Sequence, residues 1–412
     1  MDSQRLNKIS GNGVRLTKPE AIEIGDDVDL DSIQGSDITI YGGSRIYGSR
    51  TSIHSGAVLG YEAPVTIENC YIGPGVQLKG GFYKDSVFLK GASSGSGAQV
   101  REGTIFEEEA SVAHTVGLKQ TILFPYVTLG SLVNFCDCFM AGGTSRKDHS
   151  EVGSSYIHFN YTPNQDKATA SLIGDVPRGV MLDHRPIFLG GQGGLVGPCR
   201  MEYGTVVAAG SIWRKDQLKP DLLVFEGAGK GGKMPFTPGL YRSINRTIKN
   251  NIYYIANLLA LRQWYIHVRG LFVSDDFPKA LHHGLVRVLD MNIDERISRL
   301  GEFCAKMPES IRIYEDLLKE KASNKLINQK KEVVAHWDEV KTSLITGKTS
   351  QGHHKNKDLF LEKLNGRIAA SGKDYLSTIQ QLPSGDKIIG SHWLKSIVDG
   401  VVKHSFQIWS SV

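Results

Sequence analysis

Residues 189–207 read LGGQGGLVGPCRMEYGTVV, and within them Leu189, Leu195, Met201 and Val207 stand six residues apart. The same spacing runs through residues 100–118, VREGTIFEEEASVAHTVGL, at Val100, Phe106, Val112 and Leu118. A period of six fits neither a lone amphipathic helix nor a flat alternating strand, but it suits a backbone that turns a corner after each short strand. Each unit then sends one aliphatic side chain inward, and stacked units bury a continuous column that no single unit buries alone. Shorter runs at Ile24 to Leu30, Ile40 to Ile46, Ile53 to Leu59 to Val65, and Ile72 to Leu78 carry the pattern toward the N-terminus, with phase slips that mark short insertions. Aliphatic-glycine steps such as Leu59-Gly60, Ile173-Gly174 and Leu189-Gly190 suit corners, where a positive φ or close approach of neighbouring coils is needed.

The predicted organisation is an N-terminal segment (1–16), a parallel β-helix (17–218), a linker (219–243) and an α-helical domain (244–412). The period disappears over residues 145–169, where polar and charged side chains crowd together, and a loop projecting from a regular solenoid is where chemistry is expected. After Leu218 the texture changes to a Gly/Pro/Lys stretch and then to helical spacing at Ile244, Ile248, Ile252, Ile255 and Leu259. Similar stripes occur at Leu361, Leu364 and Ile368, and at Leu394, Ile397, Val398 and Val401, and residues 347–357 before them read as an exposed connection. Residues 219–270 hold eight Lys or Arg against two acids, read as a solvated helix face.

A chain of 412 residues with 40% hydrophobic content has room for two ordinary cores. Its net charge of +5 is too mild to argue for nucleic acid and agrees with small anionic ligands. Cys70, Cys136, Cys138, Cys199 and Cys304 lack paired CxxC spacing, which predicts reduced, packed thiols and no metal site. The N-terminal MDSQRLNKIS lacks a signal-peptide core, and the most apolar run, residues 253–261, is about half a membrane span, so a cytoplasmic protein without a membrane span is expected.

The segment from Phe188 to Asp216, FLGGQGGLVGPCRMEYGTVVAAGSIWRKD, resembles the last coils of the hexapeptide-repeat, left-handed β-helix acyltransferases, most of all the acetyltransferase half of the bifunctional bacterial enzyme that makes UDP-N-acetylglucosamine from glucosamine 1-phosphate. Upstream, Asn160-Tyr161-Thr-Pro-Asn-Gln-Asp-Lys167, followed by Leu172-Ile-Gly-Asp175, is similar to that family's Asn-Tyr-Asp-Gly loop with its lysine. Asn134-Phe135 and Lys147-Asp-His149 resemble the preceding stretch. The likeness covers roughly residues 115–216. It implies a mainly β fold, a left-handed parallel β-helix followed by the helical region, assembled as a homotrimer with sites where neighbouring solenoids meet. Left-handedness rests wholly on the resemblance, since ordinary parallel crossovers are right-handed.

The family's chemistry needs a base for the attacking amine and a donor for the developing oxyanion. By resemblance His149 is the base, with His158 and His114 as competitors, and Asn160 orients the amine or polarises the carbonyl. Arg146, His158, Tyr161 and Lys167 are the implied substrate contacts to a sugar, sugar phosphate or nucleotide sugar. The implied cofactor is acetyl-CoA, with Gly191 and Ala209 leaving space for the pantetheine arm and Arg214 and Lys215 meeting its phosphates.

The departures bear on substrate. The nucleotidyltransferase half is not matched, so the pyrophosphorylase reaction is not implied. The family's basic residues are replaced by Leu123-Phe-Pro-Tyr-Val127 and Asn134-Phe-Cys-Asp-Cys-Phe-Met140, Val152 stands where a tyrosine is expected, and the loop lysine is one place further from the asparagine. Gly227-Ala-Gly-Lys-Gly-Gly232-Lys233 has P-loop spacing but continues with Met234 and Pro235, and reads as linker. Two functions follow: CoA-dependent acyl transfer, or a non-catalytic member that binds nucleotide sugars or scaffolds a partner nucleotidyltransferase.

Overall fold

A computed structural model describes residues 3–226, 235–319 and 322–412; the P-loop-like stretch lies outside them. The six-residue period winds the chain into a parallel β-solenoid of about eleven turns with three faces. Face I carries eleven strands, from Val14–Leu16 to Leu223–Val224. Face II runs from Glu23–Ile24 to Gly117–Leu118, is bridged by Asn134, and resumes at Ile157–Phe159, Gly194–Val196 and Ile212–Trp213. Face III holds eight strands, from Ser52–Ile53 to Arg200–Met201. The eight apolar positions of the two quoted stretches are all buried in the column these faces enclose.

The corner between faces II and III shows how the turns are made. Asn69, Asp85, Gly103, Gln120 and Asp137 stack there coil upon coil, each with φ between 43° and 79°. Glycine is therefore not the sole corner residue. Polar side chains also hold left-handed backbone at this edge, and their outward groups serve as handles for the helices.

Helices α1 (Ser3–Gly11) and α2 (Val176–Gly179) belong to the coil; α3 (Asn245–His267), α4 (Lys279–Ala305), α5 (Met307–Leu318), α6 (Asn324–Ala335), α7 (Trp337–Thr346), α8 (His354–Ser371), α9 (Tyr375–Gln380) and α10 (Ser384–Ile408) follow it. The stripe from Ile244 to Leu259 is buried, mostly on α3. Residues 347–357 lead from α7 into α8 and are exposed or half-buried except at Gly347, and they are anchored where the Gln351 carbonyl accepts from Trp393 Nε1 of α10 at 2.7 Å. Among the described residues no helix is long and apolar enough to cross a membrane.

These helices lie on face III. Its outward positions, Tyr71, Val87, Ile105, Ile122, Phe139 and Leu172, are paired in register across successive strands and all are buried. Apolar side chains thus sit on both sides of these strands, as in a sheet covered twice. The coil interior and the helices consequently share one continuous hydrophobic core.

Helix α4 follows the II–III corner and reads its polar residues in turn. Arg287 lies 3.6 Å from Asp85, Asn292 Nδ2 donates to the Gly103 carbonyl at 2.8 Å, and Arg296 pairs with Asp137 at 2.9 Å. Both members of the last pair are buried, at 2% and 3% exposure. Removing one partner strands a charge, whereas replacing the pair by apolar groups need not. Arg296→Ala is expected to destabilise the protein by about 3–5 kcal/mol in urea unfolding, and Asp137→Asn in that background should recover much of the loss. Equal unfolding midpoints for wild type and Arg296→Ala would remove this pair from the forces that dock the helices.

Candidate functional site

Some expected site residues lie on two excursions from the coil, which leave from different corners, and the others lie in the coil itself. The aperiodic stretch 145–169 divides into two loops, because Glu151–Val152 rejoins face I and Ile157–Phe159 rejoins face II.

The first excursion leaves the III–I corner as a small hairpin, Gly143–Ser145 against Asp148–His149. Gly143 is required there: at φ 99° a Cβ would stand 2.5 Å from His149 Cα. His149 lies with Nε2 3.8 Å from the Glu151 carboxylate, while Nδ1 is buried with no hydrogen-bond partner among the described residues. Arg146, at the hairpin tip, folds down over face I. It donates to the carbonyls of Glu109 and Tyr126, both at 3.0 Å, and to Thr128 Oγ1 and Ser111 Oγ at 3.1 and 3.2 Å. Its guanidinium thus ties successive coils together. From the helical side Gln380 Nε2 donates to the Thr144 carbonyl at 2.6 Å and clamps the hairpin.

The second excursion, 160–170, leaves the II–III corner. Asn160 Nδ2 donates to Asp137 Oδ2 at 2.6 Å, so its amide is oriented by the carboxylate that Arg296 neutralises. The loop is strapped to the helical region at several points: Tyr241 Oη donates to Asp166 at 2.9 Å, Lys306 Nζ to the Asn164 and Gln165 carbonyls at 2.7 and 2.8 Å, and Asn251 Nδ2 to the Ala168 carbonyl at 2.8 Å. Tyr161 is exposed, and Lys167 is half-buried with no carboxylate partner among the described residues.

The third set lies at the I–II corner, where small residues stack without side chains between them. A Cβ on Gly153 would stand 2.4 Å from Gly191 N, and one on Gly190 would stand 2.3 Å from Ala209 N. On either flank are exposed apolar side chains: Phe188, Val206 and Leu223 in register on face I, and Ile157 and Phe159 on face II. At the other end of face II, toward the II–III corner, Arg214 is half consumed by Glu226 at 3.1 Å and by its own Ile212 carbonyl at 2.8 Å, and Lys215 is exposed.

Two expected residues change role. His158 is 1% exposed, with Nδ1 2.7 Å from the Cys136 carbonyl and Nε2 2.7 Å from Ser171 Oγ. Both nitrogens are committed within the coil wall, so it faces neither base work nor substrate. Arg146 is a coil fastener for the same reason. His114 is exposed, 3.4 Å from Glu62 and far along the chain from both excursions. Asp137, Arg296 and Gln380, which position Asn160 and the hairpin, carry no local sequence signal, because their partners are brought in by tertiary packing.

A single chain therefore presents the histidine, the asparagine and the small-residue stack on three separate edges. No family model matches the chain. Among curated proteins it is similar to the "Bifunctional protein GlmU" of Thermus thermophilus, 28% identical over 192 residues (46% of this chain, 37% of the relative). It is likewise similar to those of Thermotoga petrophila, 25% over 214 residues, and Nitratidesulfovibrio vulgaris, 26% over 221 residues, each match covering 52% of this chain and 42% of the relative. The likeness to GlmU and the β-solenoid agree. The chain spans about two fifths of the length of the curated relatives it matches, and the resemblance read from the last coils points to the same protein.

Burial pushes the His158 imidazole down to about 4, against hydrogen bonding and the Asp137 carboxylate, which act upward. A depressed folded value means the unfolded chain takes up the proton first, so His158 contributes stability above pH 6.5 that is lost as the pH falls toward 4. In an NMR titration the His158 ring should stay neutral at pH 5.5. Protonation of that ring near pH 6.5 in the folded protein would contradict its place in the coil wall.

Proposed function

We propose that the chain is an acyltransferase that moves an acetyl group from coenzyme A to an amino or hydroxyl group of a sugar phosphate or nucleotide sugar, as a homotrimer. The observation that carries this reading is the bare I–II corner. The Gly153/Gly191 and Gly190/Ala209 contacts keep side chains out of a strip along the coil, the kind of cradle a slim pantetheine arm needs. When bound there, acetyl-CoA would supply an activated thioester. The five cysteines, all free and buried, fit a reducing, cytoplasmic setting.

In this reading His149 takes the proton from the attacking group, and the Glu151 carboxylate beside Nε2 holds the imidazolium that results. Asn160, fixed by Asp137, orients the acceptor, and Tyr161 and Lys167 contact its sugar or phosphate from the exposed side of the loop. Arg214 and Lys215 are available to the coenzyme's phosphates. Since these sets lie on separate edges, the site is completed between copies. Face III is already covered by helices, so assembly uses faces I and II, where Phe188, Val206, Leu223, Ile157 and Phe159 are exposed.

The second reading, a non-catalytic protein that binds nucleotide sugars or scaffolds a partner, is favoured by one observation: two of the four implied substrate contacts are already engaged within the chain, Arg146 across the outside of face I and His158 in the coil wall. The discriminating measurement is direct. The acyltransferase is expected to melt higher with acetyl-CoA, and His149→Ala should lower kcat by about 10²–10⁴-fold with its melting temperature unchanged. Phe188→Asp combined with Val206→Asp should give a monomer by light scattering and abolish turnover. A protein stabilised by UDP-N-acetylglucosamine and indifferent to acetyl-CoA would establish the second reading instead.

A further inference from the structure

A cavity of about 550 Å³ opens where the last strands of face III meet helices α3 and α10, one coil beyond the III–I hairpin. That is the volume of a small organic ligand. Its floor is the last apolar residue of the outward column of face III, Leu172, and α10 contributes Ile388 and Val398 from the other side. At this point the column is interrupted. The next outward position after Leu172 on the paired strand is Arg200, a cation following six coils, from Tyr71 to Leu172, that place an aromatic or aliphatic residue there. A local rule broken at one position inside a cavity is a mark of function.

The charge state of the lining separates two arginines. Arg178 is spent: its guanidinium is shared between Asp175, the N-cap of α2, and Glu202, which lies at 2.8 Å. Arg200 is not. Its guanidinium lies over the Tyr253 ring, 4.2 Å from the centroid, and meets Asp216 only at 3.4 Å. Asp216 is itself divided, accepting also from Asn250 Nδ2 at 2.8 Å and from the Arg200 backbone N–H at 3.1 Å. Arg200 Nε is buried with no acceptor among the described residues. A guanidinium held flat by an aromatic ring, with donors unanswered, is a receptor for an oxyanion. Across the cavity Ser391, His392 and Lys395 face it from α10, Lys395 sharing its charge with Asp399 at 2.5 Å.

We propose that this cavity binds a small amphipathic anion, one carboxylate or phosphate head on an apolar body, with the head on Arg200 and the body between Leu172, Ile388 and Val398. The site joins coil to helix, so its occupant fastens α10 to the end of face III.

The test is calorimetric titration of the full chain with octanoate, octyl phosphate, inorganic phosphate and octanol. The two octyl anions should bind one per chain, at least tenfold more tightly than either octanol or phosphate, and should raise the melting temperature. Which octyl anion binds more tightly identifies the head group. Arg200→Met restores the apolar column and should weaken both octyl anions at least tenfold while acetyl-CoA binding is unchanged. Val398→Trp, which fills the cavity from α10, should abolish binding and supplies the readout if Arg200→Met does not melt cooperatively. Octanol binding as tightly as the octyl anions, no saturable binding below 10 mM (about −2.7 kcal/mol), or full affinity in both variants would overturn the proposal. Loss of acetyl-CoA binding with the octyl anions retained would count against the proposed transferase alone.

Discussion

The outward column of face III is the constraint from which the rest of the architecture follows. Strands such as Ser86–Phe88, Thr104–Phe106 and Cys138–Met140 are buried on both sides, with Phe88, Phe106 and Met140 filling the coil and Val87, Ile105 and Phe139 facing out. Left bare, that column would be a long apolar stripe on an otherwise polar prism. Helices α3, α4 and α10 remove it from water, and the two parts are consequently one cooperative body. Polar contacts set the register of the cover. Arg269 is buried against Glu108, and Tyr265 Oη donates to Glu107 at 2.6 Å, just as Arg296 meets Asp137 one corner away. Such buried pairs add little net stability over apolar packing, but they penalise a slipped alignment of helix on coil.

Covering one face decides what the remaining two can do. With face III closed, only the I–II corner and its two flanks are open along their length, and that edge carries both the stacked small residues and the exposed apolar side chains. The III–I hairpin and the II–III loop are held from the helical side, by Gln380 and by Tyr241, Lys306 and Asn251. The helical region therefore rigidifies the candidate catalytic loops, a role for rigid support that chemistry on loops requires.

The coil was legible in the sequence because its signal is local and repeated: one inward aliphatic side chain every sixth residue, as at Leu189, Leu195, Met201 and Val207. The placement of the site was not. His149 and Asn160 are eleven residues apart and fall in one aperiodic stretch, yet two short strands between them carry the chain across face I and face II, to a different corner. A solenoid converts small sequence separation into opposite edges. His158 misled for a related reason: a polar residue that interrupts an apolar pattern can point inward when a serine hydroxyl and a carbonyl wait there, and Ser171 comes from the next face of its own coil and Cys136 from the preceding coil. The cover on face III did leave a trace, in the doublets Val87-Phe88, Ile105-Phe106, Ile122-Leu123, Phe139-Met140 and Leu172-Ile173, whose first members have no role inside the coil.

Those doublets also explain why the end of face III differs from its middle. After Leu172-Ile173 the next coil supplies Arg200-Met201, with the inward member kept apolar and the outward one charged. Burying an arginine in an apolar seam costs more than burying a leucine unless its donors are met. Tyr253 and Asp216 meet part of that demand, and the cavity beside them leaves room for the remainder. Along most of its length the seam is closed by apolar packing and by polar pairs whose charges are answered within the chain, while at its last coil an arginine keeps donors unanswered, a place where a soluble anion can contribute to the contact between helix and coil.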